Sequence, residues 1–258
     1  LSFAVLAAVI AWAAIPALSA GALTQDIIAG AAPPGDGHPL GTDALGRDVW
    51  RLTMAGSRTA LAGPITVAAG SMLFGLLLGL VAAYRGGLID WIICRYVELM
   101  LSLPSLLLAI VAAGVIGGGY WISVVVLLIL FSPYDIRLIR SAALARIHDP
   151  YLEAARLLGL SSARVIARHL FPGVRALVGA NLFLNMGFAL VSLSSLSFLG
   201  LGISPQQADW GRQLTDARTL LFANPVAAIA PGLAIISTAV ALNLVGDWIT
   251  ERSGVGDE

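Results

Sequence analysis

The chain has 258 residues, 58% of them hydrophobic and 12% charged, with a mean hydropathy of +0.89. Soluble domains carry about 25% charge, so this composition excludes an ordinary water-soluble globule and points to lipid as the solvent. Fifteen acidic and fifteen basic residues cancel, which removes the basic surplus that a nucleic-acid partner attracts.

The charge-free intervals locate the membrane elements, because a helix rising 1.5 Å per residue needs about 20 apolar residues to cross a core of roughly 30 Å. Residues 1–23 form the first span. They lack the basic n-region of a signal peptide, and further spans follow. The chain begins at Leu1 without Met, so a short N-terminal tail is expected to precede it. Residues 26–57, with the Pro/Gly-rich "AAPPGDGHPLG", form an outer segment. The second span is 59–84, between Arg58 and Arg85. Its Gly75 and Gly79 make a GxxxG pattern that favours a close helix crossing. Residues 99–134 are charge-free but too long for one helix. "GVIGGGYW" divides the region into spans at 97–116 and 120–138, since a triple glycine favours a turn. The fifth span is 176–200, the outer segment after it is 201–220, and the sixth span is 221–246. The prolines in or beside these spans are tolerated where neighbouring groups satisfy the freed carbonyls. The expected fold is therefore an all-α polytopic membrane protein of six transmembrane helices, forming a single domain over 1–258.

Arginine placement orients it. Arg85, Arg95, Arg137, Arg140, Arg146, Arg156, Arg164, Arg168, Arg175 and Arg252 fall on one side. Arg47, Arg51, Arg58, Arg212 and Arg218 fall on the other. The positive-inside rule makes the richer side cytosolic, with both termini on it. The segment 146–173 is then cytosolic.

That segment reads "DPYLEAARLLGLSSARVIARHLFPG" from Asp149. Asp149 is a good N-cap, Pro150 suits the first helical position, and Glu153 lies where the helix dipole favours an anion. Gly159 ends the first helix, and Ser161 or Ser162 opens a second. On the second helix Arg164 and Arg168 share one face, and Val165, Ile166, His169 and Leu170 make another. Pro172 is expected to stop it just before the fifth span. Ala154 and Ala155 are small enough to let the first helix lie close against a partner. A helix this short needs a partner surface to be stable.

"EAARLLG" followed by "RHLFP" resembles the EAA loop of bacterial binding-protein-dependent ABC importer permeases. Glu153, Ala154, Ala155 and Gly159 correspond to the motif's core and Pro172 to its closing proline. Arg156, Arg168 and His169 belong to the same coupling segment. "HPLGTDALGRDVWRLTMAGSRTAL", "RYVELMLSLPSLLLAI" and "SLSFLGLGISPQQADWGRQL" are similar, in the same order, to segments of the C-type permeases of dipeptide and oligopeptide importers. The resemblance implies a type I ABC importer permease fold in a bacterial inner membrane. It implies a short cytosolic helix that docks on an ATPase subunit. The implied partners are a homologous B-type permease, two cytosolic ATPases or one fused ATPase, and an extracytoplasmic peptide-binding protein. No cofactor is expected in this chain; ATP and Mg would be bound by the partner ATPases. Relatives of this branch carry dipeptides, longer peptides, nickel or other small solutes.

Two further groups of residues are candidates. Span five carries Asn181, Asn185, Ser192, Ser194, Ser195 and Ser197. Such residues serve close helix packing or line a hydrated path, and Asn181, Asn185 and Ser192 are taken as candidate path residues. In the outer segments Asp43, Arg47, Asp48 and Trp210 are candidates for contact with the binding protein. The other readings are a capped surface turn for the charged trio and an interfacial aromatic anchor for Trp210. Glu98, Asp135 and Asp247 lie near span ends, where they can snorkel or pair, for example Glu98 with Arg95.

An intramembrane enzyme would need a nucleophile–base pair or metal ligands. HExxH, GxSxG and a P-loop are absent, and the absence of Lys excludes a Lys-based Walker site or Ser–Lys dyad. The single cysteine, Cys94, excludes a Cys-based metal cluster, and His38, His148 and His169 lack ligand spacing, so no metal site and no catalytic residue is expected. A self-contained secondary transporter is the alternative. Such proteins show internal repeats and broken helices with mid-membrane ion sites, and neither is evident here.

Overall fold

The structure, a computed structural model, describes residues 2–27, 30–35, 37–202, 204 and 207–252, with only the backbone of Pro16 and Arg156. It is helical throughout, apart from isolated bridges in the outer segment.

Helix α1 is Ser2–Ala14. The span expected over 1–23 is cut short because Pro16 cannot continue the α-helix and opens a 3-10 turn, Pro16–Ser19. Thirteen residues cover only about 20 Å. The helix leans on α2 (Val49–Arg85) and α10 (Val226–Arg252). Edge-on aromatic contacts fix it, Phe3 to Trp248 at 5.6 Å and Trp12 to Trp50 at 5.7 Å.

Helix α2 begins ten residues before the expected span, because Asp48 caps it by accepting the Arg51 N–H at 3.0 Å. At 37 residues it is the central post, and it packs along α5 (Tyr120–Arg146) and α8 (Phe171–Phe198). Glycines set that approach. A Cβ on Gly75 would lie 2.5 Å from the Asp135 Cβ, and one on Gly79 would lie 2.9 Å from the Ile136 carbonyl.

The span expected over 97–116 is not one rod. Helix α3 (Gly87–Leu101) and helix α4 (Ser105–Ile116) meet at an 83° bend. Pro104 forces extended backbone there and withholds an N–H. Gly117, Gly118 and Gly119, all at positive φ, make the break before α5 that their side-chain-free backbones permit. Helix α5 passes residue 138, where that span was expected to end, and runs to Arg146.

Helix α6 is Pro150–Leu157, and Gly159 follows at φ +75. Helix α7 (Ser162–Val165) runs through a π turn, Ile166–Leu170, straight into α8. Pro172 therefore does not stop a helix. It sits inside a continuous helical rod, and the wider π turn just before it accommodates the ring and the missing N–H. Residues 162–198 form one rod of 37 residues. The short helix α9 (Trp210–Asp216) and a 3-10 turn, Ala217–Leu220, lead to α10.

Four of the described helices are long and apolar enough to cross a membrane, and the bent α3–α4 pair reaches that length only with its two arms taken together. The sixth expected crossing rests on α1, which is too short on its described length.

Candidate functional site

The face expected to be cytosolic is built on α6. Leu152 and Ala155 point inward and are 1% and 4% exposed. They join Ile139 and Ala143 of α5, Leu80 and Ala83 of α2, and Leu170 and Val174 of the α7–α8 rod in one apolar cluster. The opposite face of α6 is bare. Tyr151, Leu157 and Leu158 are 45%, 89% and 80% exposed, and Glu153 and Ala154 are exposed beside them. The alanine doublet is thus split, with Ala154 turned outward and Ala155 turned into this chain's own core. The Arg156 side chain lies outside the described residues.

Arg168 and Pro172 are exposed, and His169 is half-buried with its Nδ1 enclosed and unpartnered. Gly159 has open space around it but needs its left-handed φ to turn the chain. Gly173 has a different reason: the Arg146 stem would lie 3.0 Å from a Cβ there.

A second site lies between α5 and α8. Asp135, expected near a span end, is enclosed instead, at 1% exposure. It accepts the Asn181 Nδ2–H at 2.8 Å and the Asn185 Nδ2–H at 2.8 and 3.0 Å. Asparagines four apart share one helix face, which points both amides at the same carboxylate. A cavity of about 480 Å³ opens on this cluster and is also lined by Ser105 and Ser192. Asn181, Asn185 and Ser192 therefore do share one hollow, and Asp135 is its unforeseen centre. The spacing of the two asparagines was a signal that an acceptor lay opposite. Ser194 and Ser197 are buried, while Ser195 is half-exposed and bonds the Val191 carbonyl of its own helix.

The outer residues form an internal clasp. Asp43, Arg47, Asp48 and Trp210 are 6%, 6%, 7% and 1% exposed, so they are not free to meet a binding protein in this conformation. The Arg47 Nε–H donates to Asp43 at 2.6 Å, and Asp216 lies 3.4 Å from its Nη2. Asp216 also takes the Arg212 Nε–H at 3.1 Å, and Asp48 holds His38 Nδ1 at 2.9 Å. The Trp210 indole N–H donates to the Thr53 carbonyl at 2.7 Å, which seats the ring inside rather than at a membrane interface. Gln213 bonds Thr53 at 3.1 Å and the Leu52 carbonyl at 3.0 Å, locking α9 to α2. Asp209 caps α9 through the Arg212 N–H at 2.9 Å. Burial pushes its carboxyl above the usual range, against the pull of those hydrogen bonds. Glu98 does pair with Arg95, at 2.8 Å on an exposed face.

Among the described residues no group of three His, Cys, Asp or Glu side chains is placed to hold a metal ion. Long apolar helices, an exposed helix rooted in their common core and a polar hollow between two of them define a membrane transport subunit. Residues 75–253 match the family model of the binding-protein-dependent transport system inner membrane component, and the chain belongs to that family.

A glutathione transport system permease protein, GsiD, of Pectobacterium atrosepticum is 36% identical over 84% of this chain and 72% of its own length. A dipeptide transport system permease protein, DppC, of Alkalihalophilus pseudofirmus is 31% identical over the same shares. Among solved structures, an inward-facing MetNI methionine ABC transporter chain aligns with a TM-score of 0.62 at 16% identity, covering 78% of this chain and 95% of its own. An amino acid ABC transporter chain aligns with a TM-score of 0.53 at 18% identity, covering 78% and 94%. The fold is that of the type I importer permeases. The chain is a non-enzymatic, multi-pass inner-membrane subunit that works with a partner permease and with ATPase subunits.

Proposed function

We propose that this chain is the C-type permease of a peptide importer. It pairs with a homologous B-type permease, receives cargo from an extracytoplasmic peptide-binding protein, and keeps both termini in the cytosol. ATP and Mg are bound by the ATPase partners and not by this chain.

The observation that carries the reading is the two-sidedness of α6. Its inner face is part of the core shared by α2, α5 and the α7–α8 rod, and its outer face is bare Tyr151, Ala154, Leu157 and Leu158. An exposed apolar face of this kind marks a docking surface. A push on α6 is passed to three long helices at once, which suits a rigid-body switch between two packings. Glu153, Arg168 and His169 frame this face, Gly159 and Pro172 fix its geometry, and Arg156 belongs to it by sequence. Asn181, Asn185 and Ser192 line this chain's half of the path. The peptide cargo is supported by the glutathione and dipeptide transport systems to which the relatives above belong.

The test is a crosslink. A thiol-reactive crosslinker carried by Ala154→Cys should capture the ATPase subunit in membranes, and capture should change with nucleotide. Capture failing in every nucleotide state, in a complex that still imports peptide, would overturn the assignment.

A further inference from the structure

The α5–α8 cavity has a charge pattern that nothing yet described uses. Asp135 is enclosed in a membrane-spanning helix, and among the described residues no ion pair reaches it. On the same helix, Arg140 is held by Asp90 at 2.7 Å, and Arg137 is exposed.

A carboxylate only accepts hydrogen bonds, so Asn181 and Asn185 must both turn their NH₂ groups toward it. Each then has its carbonyl oxygen left over. The polar equipment of the cavity is thus two amide oxygens, serine hydroxyls and a negative charge without a cation. The rest of the lining includes the rings of Phe131, Tyr134 and Phe188, and no Arg or His lines it. Aromatic faces attract cations. A volume near 480 Å³ is in the range of small-ligand sites. A lone carboxylate is a poor trap for a hard divalent ion, which takes six or more oxygen ligands. It suits an ammonium group, with three N–H donors for three kinds of oxygen.

We propose that this cavity is an ammonium-binding station on the translocation path, where the terminal amine of a passing peptide pauses beside Asp135. The proposal rests on the reading of the α5–α8 face as path. Asp135 supplies the attracting charge, and Asn181 and Asn185 hold the carboxylate in place and present acceptors.

The experiment uses the whole transporter in nanodiscs, with Cys94→Ser and Ser192→Cys in this chain. The new thiol is modified by cationic trimethylammonium-ethyl and by anionic sulfonatoethyl methanethiosulfonate, each rate normalised to free cysteine. Ser192 lies about 10 Å up the helix from Asn185. At that range an uncompensated charge favours the cationic reagent by about tenfold or more. Asp135→Asn should abolish the preference and Asp135→Glu should keep it. Excess trialanine should slow the modification at least about twofold more than N-acetyl-trialanine does, an assumed threshold set well below the tenfold of a 1.4 kcal/mol contact.

Equal normalised rates with Asp135 intact would overturn the charge assignment without any further variant. Equal protection by the two peptides would overturn the ammonium assignment. Failure of both reagents to modify the thiol in any nucleotide state would instead overturn the path reading itself, and the station with it.

Discussion

Gly75 has no room for a side chain. Its missing Cβ would meet the Asp135 Cβ at 2.5 Å and the Asp135 carbonyl carbon at 2.9 Å. Overpacking of this kind costs about 1–3 kcal/mol. Gly75→Ala is therefore expected to lower the melting temperature of the purified complex, and more than Gly114→Ala, where a Cβ meets open space. Asp209 presents the opposite case, a group whose charged form is unwelcome. Its folded-state pKa is raised by burial. A raised carboxyl pKa leaves stability intact below the ordinary value of 3.8 and removes it as pH climbs through the folded value. Asn caps a helix about as well as Asp. Asp209→Asn should thus stabilise the complex at neutral pH, with the gain fading as pH falls toward 3.8. Thermal melts across pH would check both sign and window. Single residues also show what a sequence carries by itself. The turn at Gly159 and the break at Gly117–Gly119 are local conformational demands, and they can be read from glycine alone. The burial of Asp135 depends on two amides 46 and 50 positions away, so its own neighbours in sequence hold no trace of it.

At the scale of elements, α6 joins the core through Leu152 and Ala155, and its other described side chains are exposed. Leu152→Ala removes a side chain buried to 1%. Such a truncation costs about 2–5 kcal/mol, and it loosens the root of the helix. Leu157→Asp alters a side chain that is 89% exposed and should leave stability nearly untouched, since surface changes stay within about 0.5 kcal/mol. The two substitutions are therefore expected to separate. Leu152→Ala lowers complex abundance and melting temperature, whereas Leu157→Asp preserves both and weakens ATPase retention on affinity purification. Equal retention in the Leu157→Asp complex would count against α6 as the docking element. The residue types marked both alanines as small enough for a close approach, but not which of them faced out. That choice depends on where α2 and α5 lie. The ends of the long helices were legible to different degrees for similar reasons. A charge marks where a span leaves hydrocarbon, but α2, α5 and the α7–α8 rod all continue past their charges because other helices, rather than lipid, receive their ends. The bend at Pro104 and the early stop at Pro16 both fall at proline, but Pro64, Pro133 and Pro231 sit inside unbroken helices, so proline alone does not say which span breaks.

Among the described residues three regions matter along the molecule: the clasp around Arg47 and Trp210, the Asp135 hollow, and the bare, largely apolar α6 face. Helix α2 links them, through Thr53 to α9, through Gly75 at the hollow, and through Leu80 and Ala83 in the apolar cluster that also holds Leu152 and Ala155 of α6. A motion started at α6 thus has a continuous packed route to the hollow and the clasp. Ser192 offers a way to block passage without cutting this route, since it lines the cavity yet makes no bond to the clasp or to α6. Ser192→Leu adds bulk where cargo would pass and leaves the coupling surface intact. Peptide uptake at equal complex abundance should fall about tenfold or more, the effect of an added barrier near 1.4 kcal/mol. ATP hydrolysis stimulated by the loaded binding protein should persist. Loss of both together would mean that α8 transmits motion at Ser192 rather than lining a path. Uptake unchanged would place the route of the cargo elsewhere on the molecule.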